Sequence, residues 1–266
     1  MPHKISFWDR VISKPRALIH LLHVVTLSMA VWSISHAYII ISTTEIDFSK
    51  DKYFKHAFEN KEFLFSVWAT CSQVIYFGIY LLIDVINIST KKSEQVLKIR
   101  ETLYNAANFF LFSIVFPLTL ITSFLFWVMY FWDKEKMYPK QLDMFPFYLN
   151  HMMHTMPLPG IILYMFSHVR KEPNKYKTLL PLVVLLILYN ECVFGIRRRK
   201  GVWVYPVFNF LTFSQVQVVA AITMITSIGS HFLGYYLFNI LKGVRLSVVQ
   251  RLKKMEKTSA LKQKHE

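Results

Sequence analysis

Glycine is scarce in this chain, with 7 residues in 266. A soluble α/β domain spends glycine on turns and close backbone approaches, so the shortage points to long helices with few tight connections. Cysteine is scarcer still. Cys71 and Cys192 both fall inside apolar runs, which excludes a disulfide framework. There is no internal repeat and no low-complexity tract. The longest connecting loops, of about 20 residues, are too short for a soluble catalytic module. The first apolar run is too long for the core of a secretory signal and lacks a small-residue cleavage site, so it reads as an uncleaved signal anchor. Acidic residues are few, 16 against 31 Lys and Arg, leaving a net charge of +15.

What the chain has in abundance is apolar length. A bilayer core of roughly 30 Å needs about 20 mostly apolar residues in a helix. Six runs qualify, near 17–42, 63–86, 104–132, 148–169, 178–196 and 214–241. Helices that are apolar all round belong inside a large core or a membrane. The expectation is an all-α polytopic bundle of six transmembrane helices, one integral-membrane domain over 1–266, with a basic tail over 242–266.

The basic residues divide unevenly between loops, which argues for membrane orientation rather than nucleic-acid binding. The N-terminal tail, the 87–103 and 170–177 loops and the C-terminal tail carry 20 Lys and Arg; the other three loops carry 11. The richer set belongs in the cytoplasm, which puts both termini there, as an even number of spans requires. Glu45, Asp47, Asp51, Glu59, Glu62, Asp133, Glu135 and Asp143 fall in the outer loops. One outer cluster, Arg197 to Lys200, runs against the rule. The Asn87–Ser89 sequon falls on the cytoplasmic side and is expected to stay unmodified. The tail beyond Leu241 alternates Arg245, Arg251, Lys253 and Lys254 with Leu246, Val248 and Leu252. It reads as a short amphipathic helix on anionic lipid or as an ordinary solvated tail. Lys262 and Lys264, fifth and third from the end, resemble a dilysine signal for retrieval to the endoplasmic reticulum.

Ionisable groups at membrane depth are costly, so each is a candidate site. They are His20, His23, His36, Asp84, His151, His154, His168, Glu191 and His231. His36 with His154, and His23 with His168, match in depth and suit a six-helix haem-binding electron carrier. Another pair converges on chemistry without a cofactor. Ser66 and His154 each stand one turn inside the outer end of a span. A hydroxyl and an imidazole at one depth form a nucleophile and a general base. Equally, a serine in a span can bond its own helix backbone, and a histidine near a helix end can reach the interface. A non-enzymatic regulator or transporter would keep the same fold.

The motifs add a family. Phe116-Pro117 and Phe126-Trp127 precede Trp132-Asp133, Tyr138-Pro139-Lys140 and Asn150-His151-Met152-Met153-His154-Thr155; Gly201-Val202-Trp203-Val204-Tyr205-Pro206 follows. In order and spacing these resemble the androgen-induced membrane protein family, over residues 15–242. The resemblance implies a multispan hydrolase that uses a threonine and a histidine within the membrane on fatty-acid esters of hydroxy fatty acids. The family histidine falls on His154. The family threonine lies seven residues before a glutamine, here Gln73, which gives Ser66 rather than threonine. Thr70 is one turn deeper and is the alternative hydroxyl. Asn150 is a possible oxyanion donor or orienting group, Tyr205 a possible donor, and Glu191 a possible orienting acid for His154. No cofactor is required by this chemistry. The partners are bilayer lipid and a lipid ester, with no nucleic acid, in the endoplasmic reticulum or plasma membrane. The base must be neutral to act, so with a half-buried His154 as base, activity is expected to fall as the pH drops below the ordinary imidazole pKa of about 6.5.

Overall fold

The structure, a computed structural model, describes residues 7–43, 52–88, 93–132, 146–169 and 171–262. The acidic Glu45, Asp47, Asp51, Asp133, Glu135 and Asp143, the Tyr138-Pro139-Lys140 stretch, Ser89 of the sequon and Lys264 lie outside the described residues. The elements are helices throughout, with no strand among the described residues. They are α1 (Phe7–Thr43), α2 (Lys52–Glu59), α3 (Phe65–Ile88), α4 (Glu94–Phe110), α5 (Phe116–Trp132), α6 (Phe147–His154), α7 (Pro157–Ser167), α8 (Lys175–Lys200) and α9 (Phe213–Lys262). Among the described residues, five stretches are long and apolar enough to cross a membrane: within α1, in α3, in the continuous α4–α5 unit, in α8 and in α9. Large side chains such as Ile75, Val85, Phe124, Ile187 and Ile225 point outward, as a lipid-facing surface requires.

Local chemistry sets the helix ends. The Ser93 hydroxyl accepts the Val96 N–H at the start of α4. Asn174 Oδ1 accepts the N–H groups of Tyr176 and Lys177 at the start of α8. Gly201, with φ 69°, closes α8 in the left-handed conformation that glycine enters without a Cβ penalty.

Three features depart from the sequence expectation. The fourth run is not one helix. It is split into α6 and α7 at Thr155-Met156, because Pro157 and Pro159 withhold two backbone donors. The third run begins ten residues earlier, at Glu94, and passes through a π-helical turn, Leu111–Val115. Pro117 follows that turn; the wider turn keeps the helix running where a proline N–H is missing. The basic tail is not a separate surface helix: α9 continues unbroken for 50 residues, about 75 Å at 1.5 Å per residue.

Two cores stack along the bundle. One gathers Tyr76, Tyr80, Leu111, Phe116, Tyr164 and Phe238; the other gathers Phe65, Leu118, Leu186, Tyr189, Val193 and Trp203. Packing and hydrogen bonds, rather than water exclusion, hold helices together in lipid. Gln73 donates to Thr119 at 3.0 Å between α3 and α5. Gly234 lets α9 close on α5, since a Cβ there would meet the Phe116 ring at 2.8 Å. His231 bridges the carbonyls of Phe112 and Lys175, at 2.8 and 3.0 Å, tying α9 to the π turn and to the start of α8.

Candidate active site

Ser66 is the second residue of α3. Leu64 is extended, with ψ 135°, and turns the chain sharply into the helix. That places the serine hydroxyl at the positive end of the α3 dipole, where a developing negative charge is favoured. His154 is the last residue of α6, just before the break. Its ring lies on Phe126 of α5, centroids 3.7 Å apart and 3° from parallel.

The adjacent Trp127 fixes the same corner. Its indole N–H donates to Thr155 Oγ1 at 3.1 Å, and Thr155 in turn bonds His151 Nδ1 at 3.0 Å. Phe126-Trp127 thus holds the Asn-His-x-Met-His-Thr segment, one residue on His154 and the other on Thr155. His151 has a structural place in that arrangement.

Ser66 and His154 line one cavity of about 170 Å³. Its wall comes from α3, α5, α6, α8, the segment after Gly201, and α9. Thr122, Tyr189, Asn190, Tyr205 and Thr223 supply the other polar groups, and no Asp, Glu, Lys or Arg lines it. His154 is 7% exposed, more buried than the half-buried imidazole expected. Its Nδ1 and the Thr122 Oγ1 have no hydrogen-bond partner. Two buried polar atoms without partners, both on residues that line one cavity, are unusual and suit a site that takes a polar group of a ligand.

The other sequence candidates separate. Tyr205 lines the cavity. Thr70 is buried, donates to the Ser66 carbonyl oxygen at 2.8 Å and does not line the cavity. Asn150 is buried one turn before His154, also outside the lining set. Glu191 is on the surface, where Arg198 donates to it at 2.8 Å, so it is not brought to His154. Thr122 and Tyr189 are lining groups that sequence reasoning missed. The face of α8 that repeats through Leu186, Tyr189, Asn190, Val193 and Phe194 is the signal that could have found Tyr189.

The basic cluster at the end of α8 is largely engaged. Arg197 sits over the Trp203 ring at 5.2 Å and donates to the Gly201 carbonyl. Lys200 donates to Asn60 Oδ1 at 2.7 Å, which brings the end of α8 beside the segment between α2 and α3. At the far end of the bundle, His23 Nδ1 contacts Asp84 and His23 Nε2 lies 2.9 Å from His168 Nε2. The two histidines touch directly. His36 is stacked on Trp32 and bonds the Tyr148 hydroxyl at 3.2 Å.

Comparison with known proteins places the chain among named relatives. The androgen-induced gene 1 protein of Homo sapiens is 33% identical over 138 residues, which are 50% of this chain and 58% of that protein. The androgen-dependent TFPI-regulating protein of Mesocricetus auratus is 32% identical over 142 residues, 52% of this chain and 58% of that protein. Its Homo sapiens counterpart is 28% identical over 144 residues, 53% and 59%. The match therefore spans a little over half the length of these relatives. No solved structure matches the chain. A family model described as FAR-17a/AIG1-like protein matches residues 16–239. The chain, an all-helical membrane-type bundle, belongs to the FAR-17a/AIG1-like family.

Proposed function

We propose that this protein is an intramembrane lipid ester hydrolase in which Ser66 is the nucleophile and His154 the general base. The observation that carries the reading is that Ser66 and His154 line one uncharged cavity, with a ring nitrogen of His154 unspent. The His154 imidazole takes the Ser66 proton as the serine oxygen bonds to the ester carbonyl carbon, and the carbonyl electron pair moves to oxygen. Collapse breaks the ester C–O bond, and the alcohol leaves with the proton from His154. A water then attacks the acyl-serine, again through His154, and releases the fatty acid. General acid–base help of this kind contributes typically 10²–10⁴-fold.

The substrate class follows from chemistry and family. An uncharged, mostly apolar cavity favours an ester linkage between hydrocarbon arms, as in fatty-acid esters of hydroxy fatty acids. The orientation belongs to this reading too. With both tails in the cytoplasm, the cavity faces the lumenal or extracellular leaflet of the endoplasmic reticulum or plasma membrane. The contact of Lys200 with Asn60 supports one end for the two outer segments that flank the site.

The test is hydrolysis of a defined ester of a hydroxy fatty acid by the full chain in nanodiscs. Ser66→Ala and His154→Ala should each remove essentially all turnover. Full turnover in either variant would reject the assignment.

A further inference from the structure

The mechanism above leaves one demand unmet. When Ser66 adds to the carbonyl, the new oxyanion needs a donor held in place beforehand, and no cationic side chain lines the cavity.

Two phenols meet beside the nucleophile. The N–H of Phe65, the residue before Ser66, donates to the Tyr205 oxygen at 2.8 Å. The Tyr205 and Tyr189 oxygens are 2.5 Å apart. Two phenols bring two O–H protons, and the bond between them uses one. The other has no acceptor among the described residues. Either phenol can donate in that bond; a hydroxyl that accepts a hydrogen bond becomes a better donor, which favours the order Phe65 N–H to Tyr205 to Tyr189. The chain starts at the positive end of α3. In that order it ends at the Tyr189 hydroxyl, on a residue that lines the cavity with Ser66 and His154.

We propose that Tyr189 is a catalytic residue that donates its O–H to the oxyanion formed on Ser66 attack, with Tyr205 the positioning residue that aims and polarises it. The inference rests on the ester-hydrolase reading and deepens it. The O–H bond of Tyr189 stays intact throughout; it lends a hydrogen bond as the carbonyl oxygen becomes negative and withdraws it when the carbonyl re-forms. A neutral donor suits this cavity, because a buried cation would also hold the product carboxylate firmly and slow its release.

The experiment uses the full chain in nanodiscs, with an ester of a hydroxy fatty acid as substrate and a long-chain trifluoromethyl ketone as probe. Serine addition to that ketone creates the same oxyanion. Tyr189→Phe should lower kcat on the order of 100-fold, leave KM within about threefold, and weaken the ketone by the same factor as kcat. Tyr205→Phe should give a smaller loss, on the order of tenfold, with the same split between kcat and KM. A Tyr189→Phe enzyme whose kcat and ketone affinity both stay within about threefold of the parent, while Ser66→Ala is inactive, overturns this inference and leaves the hydrolase reading standing. Turnover by Ser66→Ala would instead remove the reading beneath it. A loss confined to Thr122→Val, the other open hydroxyl in the cavity, also overturns it. Should Tyr189→Phe not accumulate, Tyr205→Phe decides: unchanged kcat and ketone affinity there reject the relay.

Discussion

The imidazole of His154 lies flat on the ring of Phe126, 3.7 Å between centroids and 3° from parallel. The two residues come from different helices, α6 and α5, and the stack fixes where the proposed base sits. His154 ends its helix just before a proline-driven break, and the Phe126 ring lies against its buried imidazole. Offset and edge-on aromatic pairs are worth about 0.5–1.5 kcal/mol, and a face-to-face stack is the less favoured arrangement, so this contact is worth no more than that. Phe126→Ala should therefore lower kcat by roughly two- to tenfold with little change in expression. Steady-state hydrolysis checks this; an unchanged kcat would mean that the stack does not position the base.

Ser66 stands where the family resemblance implies threonine. Both provide the hydroxyl, and the first turn of a helix tolerates either. Ser66→Thr should retain hydrolysis within about tenfold of the parent, whereas Thr70→Val, which removes a hydroxyl already donated to the Ser66 carbonyl, should act through stability alone. The check is kcat alongside thermal unfolding. A collapse of kcat in Thr70→Val with unchanged unfolding would move the nucleophile to Thr70.

Burial raises the Tyr205 phenol above its ordinary pKa, while its bonds with Tyr189 and with the Phe65 N–H pull the other way to a smaller extent. Ionised, Tyr205 would lose the proton it gives Tyr189 and put a negative charge beside the oxyanion. Loss of activity by that route begins only as the pH passes the phenol's pKa, and raising the pKa postpones it. Hydrolysis should therefore show no alkaline fall attributable to Tyr205 up to about pH 10. A Tyr205-dependent fall below that pH, absent in Tyr205→Phe, would contradict the arrangement.

Glu191 tests the boundary of the site. It is 65% exposed and paired with Arg198 on the surface. Exposed pairs are worth about 0–1 kcal/mol. Glu191→Gln should leave kcat/KM within about twofold and shift thermal unfolding little. A large loss of kcat would restore Glu191 as an orienting acid.

How far the sequence revealed this molecule depends on the kind of signal. Long apolar runs announce helices, and among the described residues five stretches are long and apolar enough to span. Depth within those runs was enough to bring Ser66 and His154 to one cavity, because rise per residue is constant in a helix. The break in the fourth run was visible in Pro157 and Pro159, but hydropathy averages over single residues. The continuation of α9 past Leu241 hides for the opposite reason: Gly243 alone does not stop a helix, and no proline follows. Glu191 and Arg198, seven residues apart, share a helix face over two turns; that spacing was readable as a surface pair. Thr122 carried no local mark, and Tyr189 only its place on the face of α8 shared with Leu186 and Val193. A threonine or tyrosine in an apolar run becomes a site residue only when other helices close over it. The Trp127, Thr155 and His151 contacts explain why the motif is longer than its chemistry needs, since part of it holds the helix break in place.

The central claim is that Ser66 is the reacting hydroxyl, activated by His154. The most direct measurement is covalent labelling of the full chain in membranes by a serine-reactive fluorophosphonate. The account predicts labelling of the parent protein at Ser66, none in Ser66→Ala, and strongly slowed labelling in His154→Ala. Undiminished labelling of Ser66→Ala, or a labelled peptide that does not contain Ser66, would contradict it.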